Sequence, residues 1–139
     1  MIRPLRQQHL DVTNPDAGDC FKTCVAMILD LPPDTLPNFC ERQRWWRSFQ
    51  EWLGQYRLFA LHVDNVNQFL GSMPDGVPCI LSGPSPRGPW QHSVVGVTHV
   101  SGYEFLHDPH PSDRFISRID NLVFFVPLRP DELIALAKP

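Results

Sequence analysis

Two cysteines in AGDCFKTCVAMIL, residues 17–29, stand four positions apart where a polar, Gly-containing loop becomes an apolar periodic run. Four chemistries suit such a pair: a metal half-site, half of a disulfide set, plain core packing, or one nucleophilic thiol. The two positions are not equivalent. Asp19 is a good helix N-cap, which makes Cys20 the first helical residue. Unsatisfied N–H groups and the helix dipole favour an anion there, and the thiolate is the reactive form of cysteine. Cys24 lies one turn further in, and with Phe21, Val25 and Ile28 it forms an apolar face. A zinc site would need a second Cys/His pair. Cys40 and Cys79 stand alone, and His107-Asp-Pro-His110 has only short-range spacing, so neither metal nor cofactor is expected.

A nucleophilic thiol needs a base, and the base an orienting group. The chain has six histidines. His9 and His62 are solitary, His99 falls near a strand end, and His107 and His110 flank Asp108-Pro109. His92 opens the apolar run QHSVVGV directly after a Pro/Gly loop, a place from which a base can be presented. Asp108 follows at the end of the next expected strand, where an antiparallel partner of His92 would lie. Cys20, His92 and Asp108 together have the composition of a nucleophile–base–orienter triad. The plain alternatives are a structural histidine and a turn aspartate before proline.

These residues need elements to hold them. The pattern predicts a helix from Cys20 to the Pro32-Pro33 stop and a short turn or helical fragment over Asp34–Asn38. A second helix is expected over 41–57, where Trp45, Phe49, Trp52 and Tyr56 form a core-facing stripe and Arg47 and Glu51 an i,i+4 pair. Strands are expected at Leu58–Val63, Val77–Leu81, His92–Val100, Gly102–His107 and Leu122–Pro127. A short helix is expected from Asp64 to Leu70, a loop over Ser82–Pro89, and a final helix over Asp131–Ala137. Helices first and strands after suggest an α+β domain with an antiparallel sheet.

The same blocks carry a resemblance. GDCFKTCVAMIL resembles the nucleophile helix of papain-like bacterial cysteine peptidases, especially the bacteriocin-leader-processing (double-glycine) group with its D-C-G-x-x-x-L-x-M-I pattern. QHSVVGV resembles that group's H-[FY]-V-V segment, and HDPHPS its D-P turn. With the GDC…LP…PNF continuation through Phe39, the blocks are also similar to those of small uncharacterised phage and bacterial proteins. The likeness covers most of 18–39 and 91–112. It implies a papain-like fold, Cys20 as nucleophile, His92 as general base and later acid, and Asp108 as the orienter. It also implies an oxyanion-hole amide about six residues before the cysteine. Position 14 is Asn14, while Gln7 and Gln8 lie further upstream; Gln8 and Asn14 are the expected donors, with the Cys20 N–H. Phe21 stands where the leader peptidases carry glycine. Gly18 and Asp19 beside the nucleophile, and Trp90 in the 83–90 loop, are the expected substrate contacts. The expected reaction is hydrolysis of a peptide or isopeptide bond in a peptide or protein substrate. Deamidases and transglutaminases share the triad, and a catalytically silent papain-fold binding module is the non-enzymatic alternative.

At 139 residues the chain suits one domain over 1–139, large enough to bury about 68–70% of its unfolded surface without staples. A net charge of −3 argues against a nucleic-acid partner. Arg42, Arg44 and Arg47 are interrupted by Glu41 and Glu51 and read as a solvated face. No run approaches the ~20 apolar residues of a membrane span. The segment MIRPLRQQHLDVTNPD has no apolar signal core, so a cytoplasmic location with reduced thiols is expected.

Overall fold

The computed structural model describes residues 2–8, 10, 19–41, 44–68 and 70–129. Two α-helices, α1 (Cys20–Leu29) and α2 (Trp45–Gly54), precede five strands: β1 (Leu58–Val63), β2 (Pro78–Pro84), β3 (Gln91–His99), β4 (Gly102–His107) and β5 (Asn121–Pro127). The strands form one antiparallel sheet in the order β1-β5-β2-β3-β4. The expected α+β architecture, helices on an antiparallel sheet, is what forms.

Side chains alternate across the strands and divide the core in two. On one face Ala60, Ile80, Val95 and Val123 meet Phe21, Cys24, Val25 and Ala26 of α1 and Phe49 and Leu53 of α2. On the other, Leu81, Val94, Leu122 and Phe124 pack under Ile116, with Val66, Met73 and Phe115 at the margin. Among the described residues no helix lies over that second face; irregular chain bearing Val66, Met73, Phe115 and Ile119 borders it. The central strands β2, β3 and β5 are therefore buried on both sides, which explains their near-continuous apolar runs.

α1 stops before its prolines. Asp30 takes a left-handed conformation (φ 54°), and the Leu31 N–H returns to the Ala26 carbonyl at 3.0 Å. α2 is shorter than the expected 41–57. Left-handed Arg44 (φ 54°) precedes it, a 3₁₀ turn occupies Phe39–Glu41, and beyond Gly54 the chain turns through left-handed Arg57. Its aromatic stripe is core only in part: Phe49 is fully buried, with Phe21 and Phe39 rings 5.2 and 4.9 Å away, and Trp45 and Trp52 pack partly buried against it, but Tyr56, beyond the end of α2, is exposed. Arg47 and Glu51 pair at 3.3 Å on the exposed side. The described residues of Asp64–Leu70 form no helix. They make i→i+3 turns, Gln68 N–H to Asn65 O and Leu70 N–H to Asn67 O, in a stretch whose Asn and Asp side chains compete for the backbone. The expected loop at Ser82–Pro89 begins later, because β2 runs on to Pro84. The expected Asp131–Ala137 helix lies outside the described residues. No helix among the described residues is long and apolar enough to cross a membrane.

Candidate active site

The β2–β3 hairpin closes with Pro84 opposite Gln91, so His92 sits one residue inside the strand, level with Gly83. Its hydrogen-bond partner comes from just beyond β4. The β3–β4 register slips between the Val95–His107 and Gly96–Phe105 pairs, leaving Leu106 unmatched. Without this bulge Asp108 would fall level with Ser93; with it, Asp108 falls level with Val94, on the His92 face.

The result is a buried pair. His92 Nε2 lies 2.7 Å from Asp108 Oδ1, and the residues are 3% and 2% exposed. Asp108 is held from three directions. Oδ1 also accepts the His110 N–H at 2.9 Å, and Oδ2 accepts the Phe115 N–H at 2.9 Å. Burial pushes the Asp108 pKa up, but the bonds from His92, His110 and Phe115 outweigh it and leave the carboxyl below its ordinary value. At His92 burial lowers the pKa, while the Asp108 carboxylate and the Cys20 side chain raise it, and the net shift is upward. Since Nε2 faces Asp108, Nδ1 is the ring nitrogen left for Cys20.

Cys20 is the first residue of α1 and is partly exposed. Asp19, the expected cap, makes no side-chain capping bond. Its buried carboxylate instead accepts the Gln8 N–H at 3.1 Å, and its carbonyl takes the Thr23 N–H and hydroxyl at 3.0 and 2.7 Å. The first helical turn is thus closed by Thr23, and the Asp19 side chain ties in the N-terminal segment. Cys24 and Cys79 are fully buried. Burial raises the Cys24 thiol well above its ordinary value and pushes Cys79 up to about 12. All four cysteines are free thiols.

The expected oxyanion donors and substrate contacts fare unevenly. Asn14 and Gly18 lie outside the described residues. The Gln8 side chain is exposed, whereas neighbouring Gln7 is half-buried, with its amide oxygen shielded from solvent. Gln7 N–H also donates to Pro109 O at 2.8 Å, beside Asp108. Trp90 lies against its own loop: a Cβ on Gly88 would be 2.1 Å from the indole ring. Among the described residues no group of three or more His, Cys, Asp or Glu side chains is placed to hold a metal ion.

Three features escape a reading of spacing alone. Arg6 clamps the turn after β4, donating to the carbonyls of Asp108 and His110 at 2.8 and 3.1 Å and pairing with Asp113 at 2.6 Å. A cavity of about 480 Å³ opens beside the start of α1; Cys20, Phe21, Trp45 and Trp46 line it, with His62, Ser82 and Ser93 among its polar wall residues. Ser82 and Ser93 share a 2.8 Å hydrogen bond there. Arg87, in the loop before His92, acts electrostatically on Cys20 and Asp108. Only the PRGPW loop composition hinted at this last group. No family model, curated protein or solved structure matches the chain.

Proposed function

We propose that this chain is a small cysteine hydrolase of papain-like type, cleaving a peptide or isopeptide bond through a thioester. The observation that carries the reading is the buried His92–Asp108 pair at 2.7 Å, its aspartate held by three hydrogen bonds, with the imidazole electrostatically coupled to the Cys20 thiol at a helix start. A merely structural histidine needs no coupling to a thiol.

In the proposed reaction His92 Nδ1 takes the Cys20 proton as the sulfur attacks the carbonyl carbon. The Cys20 backbone N–H, with an amide from the Gln7–Gln8 segment or Asn14, holds the oxyanion. The C–N bond breaks as His92 returns its proton to the leaving amine. Water, deprotonated by His92, then attacks the thioester and releases the acid and the thiol. Asp108 keeps Nε2 protonated and the ring in place throughout. The cavity beside Cys20 supplies aromatic walls for the acyl side of the substrate.

Iodoacetamide near neutral pH should label Cys20 ahead of the other three cysteines, as read by peptide mass spectrometry. Cys20→Ala should cut hydrolysis of a mixed peptide library by at least ~10³-fold. Slow, equal labelling of all four thiols, or cleavage that survives Cys20→Ala, refutes the assignment. Ammonia release without chain cleavage would instead indicate a deamidase.

A further inference from the structure

The β2–β3 loop carries a charge that the reaction above leaves unused. The loop is stiff: Ser85 N–H bonds Trp90 O at 2.8 Å, Arg87 N–H bonds Ser85 Oγ at 3.2 Å, and the Trp90 ring covers Gly88. Ser117 N–H bonds Pro84 O at 3.0 Å, fastening the loop's base to the segment after Asp108. From this frame Arg87 extends half-buried. Its Nε is shielded from solvent and has no hydrogen-bond partner. A desolvated guanidinium N–H without an acceptor is costly, and such a group is commonly completed by a ligand.

The neighbours of Arg87 are also donors. Its charge is felt at Cys20, Asp108, His110 and Arg114. His110 Nδ1 accepts the Ser112 N–H at 3.0 Å, so in the neutral ring the hydrogen sits on Nε2, which is left to donate. The His110 ring lies 6.3 Å from that of His92. Arg114 is exposed, and among the described residues its backbone N–H bonds Ser112 Oγ at 3.4 Å. Asp108, the one carboxylate acting on Arg87, already takes three hydrogen bonds from His92, His110 and Phe115.

Position relative to the chemistry fixes what such a site would read. The cavity beside Cys20 is lined by Gln91 and Ser93 but not by His92, Arg87 or His110. A general acid faces the leaving group, so the His92 side of the thiol is the leaving-group side. Guanidinium forks match carboxylates bidentately.

We propose that Arg87, with His110 and Arg114, forms a leaving-group subsite that binds a substrate carboxylate next to the scissile bond, supplied by an acidic side chain or by the free end of a chain. This rests on the hydrolase reading of Cys20 and His92, and makes Arg87 a specificity-determining residue of that reaction.

Two alkylating agents of nearly equal size, iodoacetate and iodoacetamide, test it without knowledge of the substrate. Iodoacetate carries the carboxylate; iodoacetamide reports thiolate availability alone. The rate ratio of iodoacetate to iodoacetamide at Cys20 should exceed that of N-acetylcysteine by about tenfold, the scale of a charge-assisted hydrogen bond. In Arg87→Gln the ratio should fall to the N-acetylcysteine value, and Arg87→Lys should recover part of it. Circular dichroism of the variants checks their folding, and Arg114→Gln, on the exposed side, gives a second, weaker loss. A wild-type ratio equal to the reference, or one that survives Arg87→Gln, overturns the subsite while leaving the hydrolase reading intact. If iodoacetamide itself fails to select Cys20, both fall together. Glycylglycine against its amide, and N-acetylglutamate amide against N-acetylglutamine amide, compete with iodoacetate to tell a chain end from an acidic side chain. Protection by an acid and not by its amide supports the subsite; equal protection by the amides, or none from either acid, counts against it.

Discussion

Asp108 collects hydrogen bonds from β3, from the turn after β4 and from a left-handed Phe115 (φ 59°). A bulky residue in that conformation is strained. The Asp108 bond and the stacking of Phe115 on Phe105 at 5.2 Å offset the strain, so the carboxylate organises its own turn as well as the imidazole. The signs of linkage follow. The Asp108 pKa is lowered on folding, so its contribution to stability is present above the unfolded value of 3.8 and lost as the pH falls through the folded one. The His92 pKa is raised, so its contribution is present below 6.5 and lost as the pH rises through the folded value. In Asp108→Asn the His92 imidazole should titrate lower than in the wild type, followed by ¹³C–¹H NMR of the ring. Cys20→Ala should move it in the same direction, since the Cys20 side chain also raises the ring's pKa. An unmoved His92 midpoint in Cys20→Ala would mean that the thiol does not engage the ring. Residue types and order made the triad candidates legible in the sequence. Nothing in the sequence marked the unmatched Leu106, yet that bulge sets which face Asp108 occupies.

At the scale of elements, Gly83 shows how tightly β2 is held against the segment leading into β5. A Cβ there would meet the Arg118 carbonyl at 1.9 Å, and backbone cannot swing aside as a flexible side chain does. Asp120 N–H bonds Ser82 O at 2.9 Å and fixes that segment from the other side. Gly83→Ala should therefore destabilise the fold by about 1–3 kcal/mol, measured as a lower urea midpoint at unchanged slope. A neutral substitution would mean that the Arg118 segment yields. The strands were largely legible because β-branched and apolar runs end at clear Gly/Pro punctuation, and β1 and β4 fall where expected. Helix ends were less so. Left-handed Arg44, Arg57 and Asp30 terminate or delay helices at residues whose side chains carry no stop signal as strong as glycine.

Across the whole molecule the N-terminal segment works as a strap. It crosses from Ile2, whose carbonyl lies 3.1 Å from His107 Nε2, through the Arg6 clamp on 108–113, to Gln8 bound on Asp19. This path joins the turn bearing Asp108 to the start of the helix bearing Cys20. The Arg6–Asp113 pair is about half exposed and adds little to global stability, no more than ~1 kcal/mol. Its effect should be local. Arg6→Ala should speed hydrogen exchange at the His110 and Phe115 amides, which both donate to Asp108, and leave the β2 and β3 amides unchanged. Uniform acceleration throughout the sheet would contradict a local strap. Long-range ties of this kind were hidden in the sequence, because a lone arginine in an irregular segment has no periodicity to betray its partner.

The triad's separation along the chain also bears on biosynthesis. Cys20 leaves the ribosome first, and His92 is made 92 − 20 = 72 residues later. At ~5–20 residues per second that interval lasts several seconds. Throughout it the nascent chain has Cys20 but not His92. On the proposed hydrolase reading, the thiol gains its base only once β3 and the turn bearing Asp108 have formed.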